Sequence, residues 1–179
     1  AGKTALSGGK INITDKNTDS AITGIQAVGE LEISGSAEVT FANCKYDILS
    51  QNNNNKISGG KVSFTGSSAG LFVTGNFAVT GGETSHEGDG YGILGAEGTV
   101  TLGGGTVTLN SAEYAIMAYQ NCVIDFAGAT VKATATARNA ALAIVDAGSS
   151  YKITGGEVTL QSTQAGANKL YTSLADGYV

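Results

Sequence analysis

The sequence predicts an all-β chain wound as a single-stranded parallel β-helix, a β-solenoid of about six to seven coils with three short strands in each. Apolar residues fall into columns at a period of about 23 residues down most of the chain, and each coil closes on a small-residue turn such as "SGG" or "TGG". Composition agrees. There are 27 glycines, no proline and no tryptophan, which suits tight corners and uninterrupted backbone ladders, and the many Thr, Ser and Val residues suit pleated walls.

Each element follows from those columns. The first strand of a coil is anchored by Ile11, Val39, Val62, Thr84, Val107, Val131 and Val158. Two residues later come Ile13, Phe41, Phe64, His86, Leu109, Ala133 and Leu160. A period of two is a strand with one buried face. The intervening Asn12, Thr40, Ser63, Ser85, Thr108, Lys132 and Thr159 are polar and belong on the solvent side. A second strand is marked by Ile22, Ile48, Leu71, Ile93, Ile116, Leu142 and Leu170, and a third by Leu6, Ile33, Ile57, Val79, Leu102, Phe126 and Ile153. Coils stacked at the strand spacing of about 4.8 Å make a rod roughly 30 Å long. No apolar stripe of helical period persists. A β-sandwich would not need the column register.

No internal segment reads as a linker, so residues 1–179 form one domain: a partial first coil over 1–8, regular coils over 9–160, and an irregular C-terminal cap or tail over 161–179. "QNNNNK", Gln51 to Lys56, falls between two strands of one coil and reads as a bulging corner or as stacked asparagines. The solenoid needs polar caps. The sequence offers one at the C-terminal end and no clear one at the other, so further domains of a longer parent chain, or pairing at the N-terminal end, are expected.

Composition narrows the function. The net charge is −5 and Arg138 is the single arginine, which argues against nucleic acid, because phosphate recognition needs clustered cations. No apolar run approaches the roughly 20 residues of a membrane-spanning helix. Cys44 and Cys122 lie on different walls about three coils apart, beyond disulfide reach, and read as buried small hydrophobes.

The repeats "ISGGKVSF…GLFV…FAVTGGE" and "VTLGGGTVTLNSAEYAI" resemble the Gly/Thr-rich "ITGGTVTV…GDGI" repeats of bacterial surface proteins, a carbohydrate-binding-domain-containing or adhesin-like family. The resemblance covers most of residues 5–160. It implies a right-handed helix, secretion or display at the cell surface, and contact with glycans. It supplies no catalytic residue. The local turn is "GDGYGIL" here, with two inserted residues.

One coil departs from the pattern. "GGETSHEGDGYG", Gly81 to Gly92, places Thr84 and His86 in core columns and surrounds them with Glu87, Asp89 and Tyr91. His, Glu and Asp together can bind a metal or form an acid–base pair. Strand alternation separates them, however, turning Glu87 outward if His86 points in. The blander alternatives are a hydrogen-bonded histidine near a strand end and a local bulge. Tyr46, Tyr91 and Tyr114 each fall seven residues past their anchors. With Glu87, Asp89 and Glu113 nearby, Tyr91 and Tyr114 could form the aromatic and carboxylate platform that a sugar uses. The alternative is an aromatic ladder packing a corner. His86, Glu87, Asp89, Tyr91, Glu113 and Tyr114 are therefore the candidate ligand-binding residues. Calcium could use Asp15 with Asp19, or Glu87 with Asp89, but no calcium-binding nonapeptide array is present. No metal, cofactor or catalytic residue is assigned. A lyase would need a base beside a carboxylate cluster, and the column count gives Arg138 no acidic cluster in register.

The expected function is a non-catalytic binding or adhesion module, secreted or at the cell surface, with a glycan or a host or cell-surface protein as partner. The alternative is a structural spacer or assembly segment of a larger surface protein. A polysaccharide lyase or hydrolase is the third reading.

Overall fold

A computed structural model describes residues 2–16, 22–164 and 170–172. The first coil contains β1 (Lys3–Leu6), β2 (Lys10–Thr14) and β3 (Thr23–Ala27), and the second β4 (Glu30–Ile33), β5 (Glu38–Ala42) and β6 (Tyr46–Ser50). Longer strands then alternate with short ones. β7 (Asn55–Thr65) is followed by β8 (Ala69–Val73), β9 (Phe77–Gly88) by β10 (Tyr91–Ala96), and β11 (Thr99–Ser111) by β12 (Ile116–Tyr119). β13 (Val123–Ala135) leads to β14 (Leu142–Ile144), and β15 (Ser150–Ser162) to β16 (Leu170–Thr172).

The described residues form a β-solenoid of seven coils without a helix. One sheet runs β1-β4-β7-β9-β11-β13-β15, with β2 and β5 paired alongside, and the other runs β3-β6-β8-β10-β12-β14-β16. All described strand pairs are parallel and link each coil to the next. The anchor column Ile11–Val39–Val62–Thr84–Val107–Val131–Val158 is reproduced by the pairing. So is the third-strand column from Leu6 to Ile153.

Two expectations are corrected. The predicted third and first strands do not stay separate. From the third coil onward they merge into one bent strand, and the small-residue turn becomes a register shift within it. Gly60, Gly82, Gly105 and Gly156 make the bend possible with φ of 76°, 77°, 73° and 84°. A Cβ there would run into a backbone carbonyl of the coil before, so glycine is required both by sterics and by handedness. The second correction is that Ile25, not Ile22, occupies the column of Ile48. The loop of the first coil is longer than the column count allows, and Ile22 is left 44% exposed.

Inside, like stacks on like. Phe41 and Phe64 pack with ring centroids 5.5 Å apart. Ile48, Leu71, Ile93, Ile116 and Leu142 fill the facing wall and are buried. Where a column narrows to Ala133, the same strand supplies the large Phe126. At roughly 25 cal/mol for each Å² of apolar surface removed from water, this continuous column is the main stabilising term. The asparagine segment is both a corner and a stack. The amide oxygen of Asn53 accepts from Asn76 N at 3.0 Å, and that of Asn76 from Thr99 N at 2.8 Å, so the asparagines tie three coils along one edge. Cys44 and Cys122 are free thiols, both buried.

Candidate functional site

His86 enters the core. Its strand neighbours in the column are Phe64 and Leu109, and alternation along β9 leaves it no other face. It is 2% exposed. Nδ1 lies 3.0 Å from Ser111 Oγ, while neither Nε2 nor the nearby Thr84 hydroxyl makes a hydrogen bond of ordinary geometry. Burial pulls its pKa down to about 4, opposed weakly by a backbone hydrogen bond at Asn110 and by the Glu87 charge. The imidazole is therefore neutral near pH 7. Glu87 points the other way, to solvent, where both carboxylate oxygens accept from Asn110 Nδ2 at 2.9 Å. The alternation that separates them on paper separates them in the fold, and no acid–base pair forms between them.

The other four candidates meet outside the corner that follows β9 and β11. Asp89, Tyr91 and Glu113 line a cavity of about 350 Å³ with Gly66, Ser67 and Ser68. Tyr114 lines an adjoining hollow of about 210 Å³ with Asn139. Arg138 borders both. Its Nε donates to Glu113 Oε2, and its guanidinium carbon sits 5.7 Å from the centre of the Tyr114 ring. Tyr91 and Tyr114 are half-buried, neither core ladder nor free surface. Burial first, and the Glu113 carboxylate second, push the Tyr91 phenol above its ordinary range, so it presents a neutral hydroxyl.

Arg138 is the site residue that column counting left out. Its place seven past Val131 aligns it with Tyr114, and the side chain does lie over that ring. The corner is lengthened, however: the register is 24 at Ser111–Ala135 and 26 at Ile116–Leu142, so two extra residues lie between Ala135 and Leu142. From this corner the guanidinium reaches Glu113, an acidic partner that the column count did not supply. The signal was the column Tyr46–Ala69–Tyr91–Tyr114–Arg138 itself, which runs from aromatic to cation.

A larger concavity, about 560 Å³, runs along the asparagine corner between Lys3 and Thr101. Its polar groups are already engaged with one another. Glu32 accepts from Lys3 at 3.0 Å, Lys56 at 3.2 Å and Ser58 at 3.1 Å, which together pull its pKa down to about 2. Asn54 Nδ2 donates to Glu30 at 3.1 Å. The smaller cleft joins aromatic faces to charged groups and is the better candidate, despite its size.

Among the described residues, no three His, Cys, Asp or Glu side chains are placed to hold a metal ion. Asp19 lies outside the described residues. In comparisons with known proteins, no family model, curated protein or solved structure matches the chain.

Proposed function

We propose that this chain is a non-catalytic binding module that takes carbohydrate in the cleft of Asp89, Tyr91, Glu113, Tyr114 and Arg138. The observation that carries the reading is the juxtaposition of two half-buried tyrosines with a carboxylate–guanidinium pair around a shallow cavity. A pyranose offers apolar C–H faces to an aromatic ring and vicinal hydroxyls to planar charged groups. Asp89 and Glu113 accept from hydroxyls, and Arg138 donates. The rigid stack beneath fixes these groups before the ligand arrives, which lowers the ordering cost of binding. A shallow open cleft fits recognition of a chain end or a branch. The sealed His86 supports a non-catalytic reading, since it reaches neither Glu87 nor the cleft. Display at a bacterial cell surface, or secretion, is part of the proposal and is supported by the repeat resemblance.

The test is a glycan-array screen of the folded protein, with and without calcium, repeated with Tyr91→Ala and Asp89→Asn. Expected is binding to a restricted set of glycans that both variants weaken at unchanged melting temperature. Binding that survives both variants would place the site elsewhere, and a blank array on folded protein would overturn the carbohydrate reading. The second reading, an assembly segment, is favoured by a separate observation: the last long strand leaves apolar residues uncovered on its outer edge.

A further inference from the structure

We propose that the outer edge of the seventh coil is an association surface for the first coil of a second copy of this chain, so that copies stack head to tail. The proposal is independent of the carbohydrate cleft.

β15 is the last strand of its sheet. It is 13 residues long and carries no proline, one of the usual devices that blunt an edge. Among the described residues, none covers its inward side chains. Ile153 is 57% exposed and Tyr151 37%, whereas Phe126 and Ile124, one coil earlier in the same columns, are 1% and 0% exposed. Val158 and Leu160 are only half-buried. Among the described residues, none pairs with the outer edge of β15. A long, apolar, unpaired strand edge is a template for another strand.

The opposite edge, β1 with β2, is its complement. Continuing the parallel register by one coil sets Leu6 of the next copy over Ile153, Ile11 over Val158 and Ile13 over Leu160. Charge selects the same register. In the column before the anchors, Lys10 pairs with Glu38 at 2.9 Å and Lys61 with Glu83 at 3.7 Å, while the column ends on Glu157. The next member supplied by a second copy is Lys10. Unlike surfaces meet in this contact, so it is heterologous and propagates without closing.

The test is sedimentation velocity over a wide concentration range. Wild-type protein is expected to form dimers and longer stacks as concentration rises. Ile153→Lys places a charge between the apolar columns, and Glu157→Lys sets two lysines face to face; each is expected to weaken association by about tenfold or more. Lys10→Glu is expected to do the same from the other edge. Mixing Glu157→Lys with Lys10→Glu leaves each variant repelling itself but makes both contacts between unlike variants attractive, so the mixture should recover stacks in which the two variants alternate. Circular dichroism checks that each variant folds. A wild-type chain that stays monomeric would overturn the proposal, including the case in which hydrogen exchange shows the β15 edge protected by the chain's own C-terminal residues. Association that the three variants leave unchanged would overturn it too.

Discussion

Arg138 and Glu113 are 25 residues apart in the chain and face each other across one strand spacing, the guanidinium Nε donating to the carboxylate. Both side chains keep solvent contact, at 48% and 31% exposure. An exposed pair of this kind is screened and adds little to folding. Arg138→Ala and Glu113→Gln should therefore each leave the thermal midpoint within about 2 °C of wild type, while either weakens the carbohydrate binding proposed for the cleft. Differential scanning calorimetry and titration of an array-positive glycan measure the two effects separately. A large fall in midpoint would mean that the pair serves the fold instead.

Asp47 is fully buried, and neither carboxyl oxygen makes a hydrogen bond of ordinary geometry. The Ser67 hydroxyl and Cys44 thiol nearby hold its pKa down only slightly, and burial pushes it up to about 7. The folded state then binds more protons than the unfolded chain between the ordinary carboxylate range and pH 7. Stability from this group is complete at low pH, falls as pH rises through that window and is flat above it. A difference of about 3 pKa units corresponds to at most ~4 kcal/mol. Asp47→Asn keeps the shape without the charge and should stabilise the protein above pH 7 by a few kcal/mol at most, removing that slope. Urea unfolding at pH 5 and pH 8 reads the difference; equal stabilisation at both would show that Asp47 does not titrate in this window.

The column logic explains what the sequence discloses and what it hides. Six to seven coils and their core columns were legible because apolar residues recur two apart within a strand and about 23 apart between coils, and few other folds need both periods. Ile22 was misplaced because loop length is invisible to column counting. Asp47 passed unnoticed because an aspartate beside a corner reads as a turn residue. Its burial depends on its coil neighbours Gly24 and Gly70, which have no side chains and lie against the Phe41 and Phe64 rings. Of the candidate site, Tyr91, Tyr114, Glu113 and Asp89 follow from register alone. The lengthened turn around Arg138 shows in the sequence, where Leu142 falls 11 past Val131 while Ile116 falls 9 past Val107, but the contact of Arg138 with Glu113 is visible only in the fold.

His86 gives the opposite pH slope. Its pKa is lowered to about 4, so the unfolded chain takes up a proton near pH 6.5 that the folded core refuses. Stability is complete above pH 6.5 and is lost as pH falls toward 4, by about 3 kcal/mol. His86→Leu copies Leu109, the next residue in the column. It leaves Ser111 Oγ without its imidazole partner, which costs about 1 kcal/mol, and removes a buried unpaired nitrogen. The variant should match wild type within about 1 kcal/mol near pH 7 and exceed its stability at pH 4.5. Melting curves at the two pH values test this, and a variant weaker than wild type at pH 4.5 would contradict the buried, neutral imidazole.

Asn55 closes the second coil against the third from inside. It is 2% exposed. Its amide oxygen accepts from Leu31 N at 2.7 Å, and its amide nitrogen donates to Ser50 Oγ at 2.8 Å and Ala27 O at 3.4 Å. One side chain therefore substitutes for ladder bonds where the strands break at the corner, and the buried groups have no water to replace it. Asn55→Ala should cost about 2–3 kcal/mol, mostly through the orphaned Leu31 amide and Ser50 hydroxyl. The same change at Asn53, which is exposed and bonds Asn76 N, should cost less than about 1 kcal/mol because water can take its place. Amide hydrogen exchange separates the local effect from the global one. In Asn55→Ala the Leu31 amide should exchange faster than global destabilisation alone allows, while amides of β11 and β13 follow the global change. Uniform acceleration across all strands would mean that Asn55 acts on the whole stack and not on this corner.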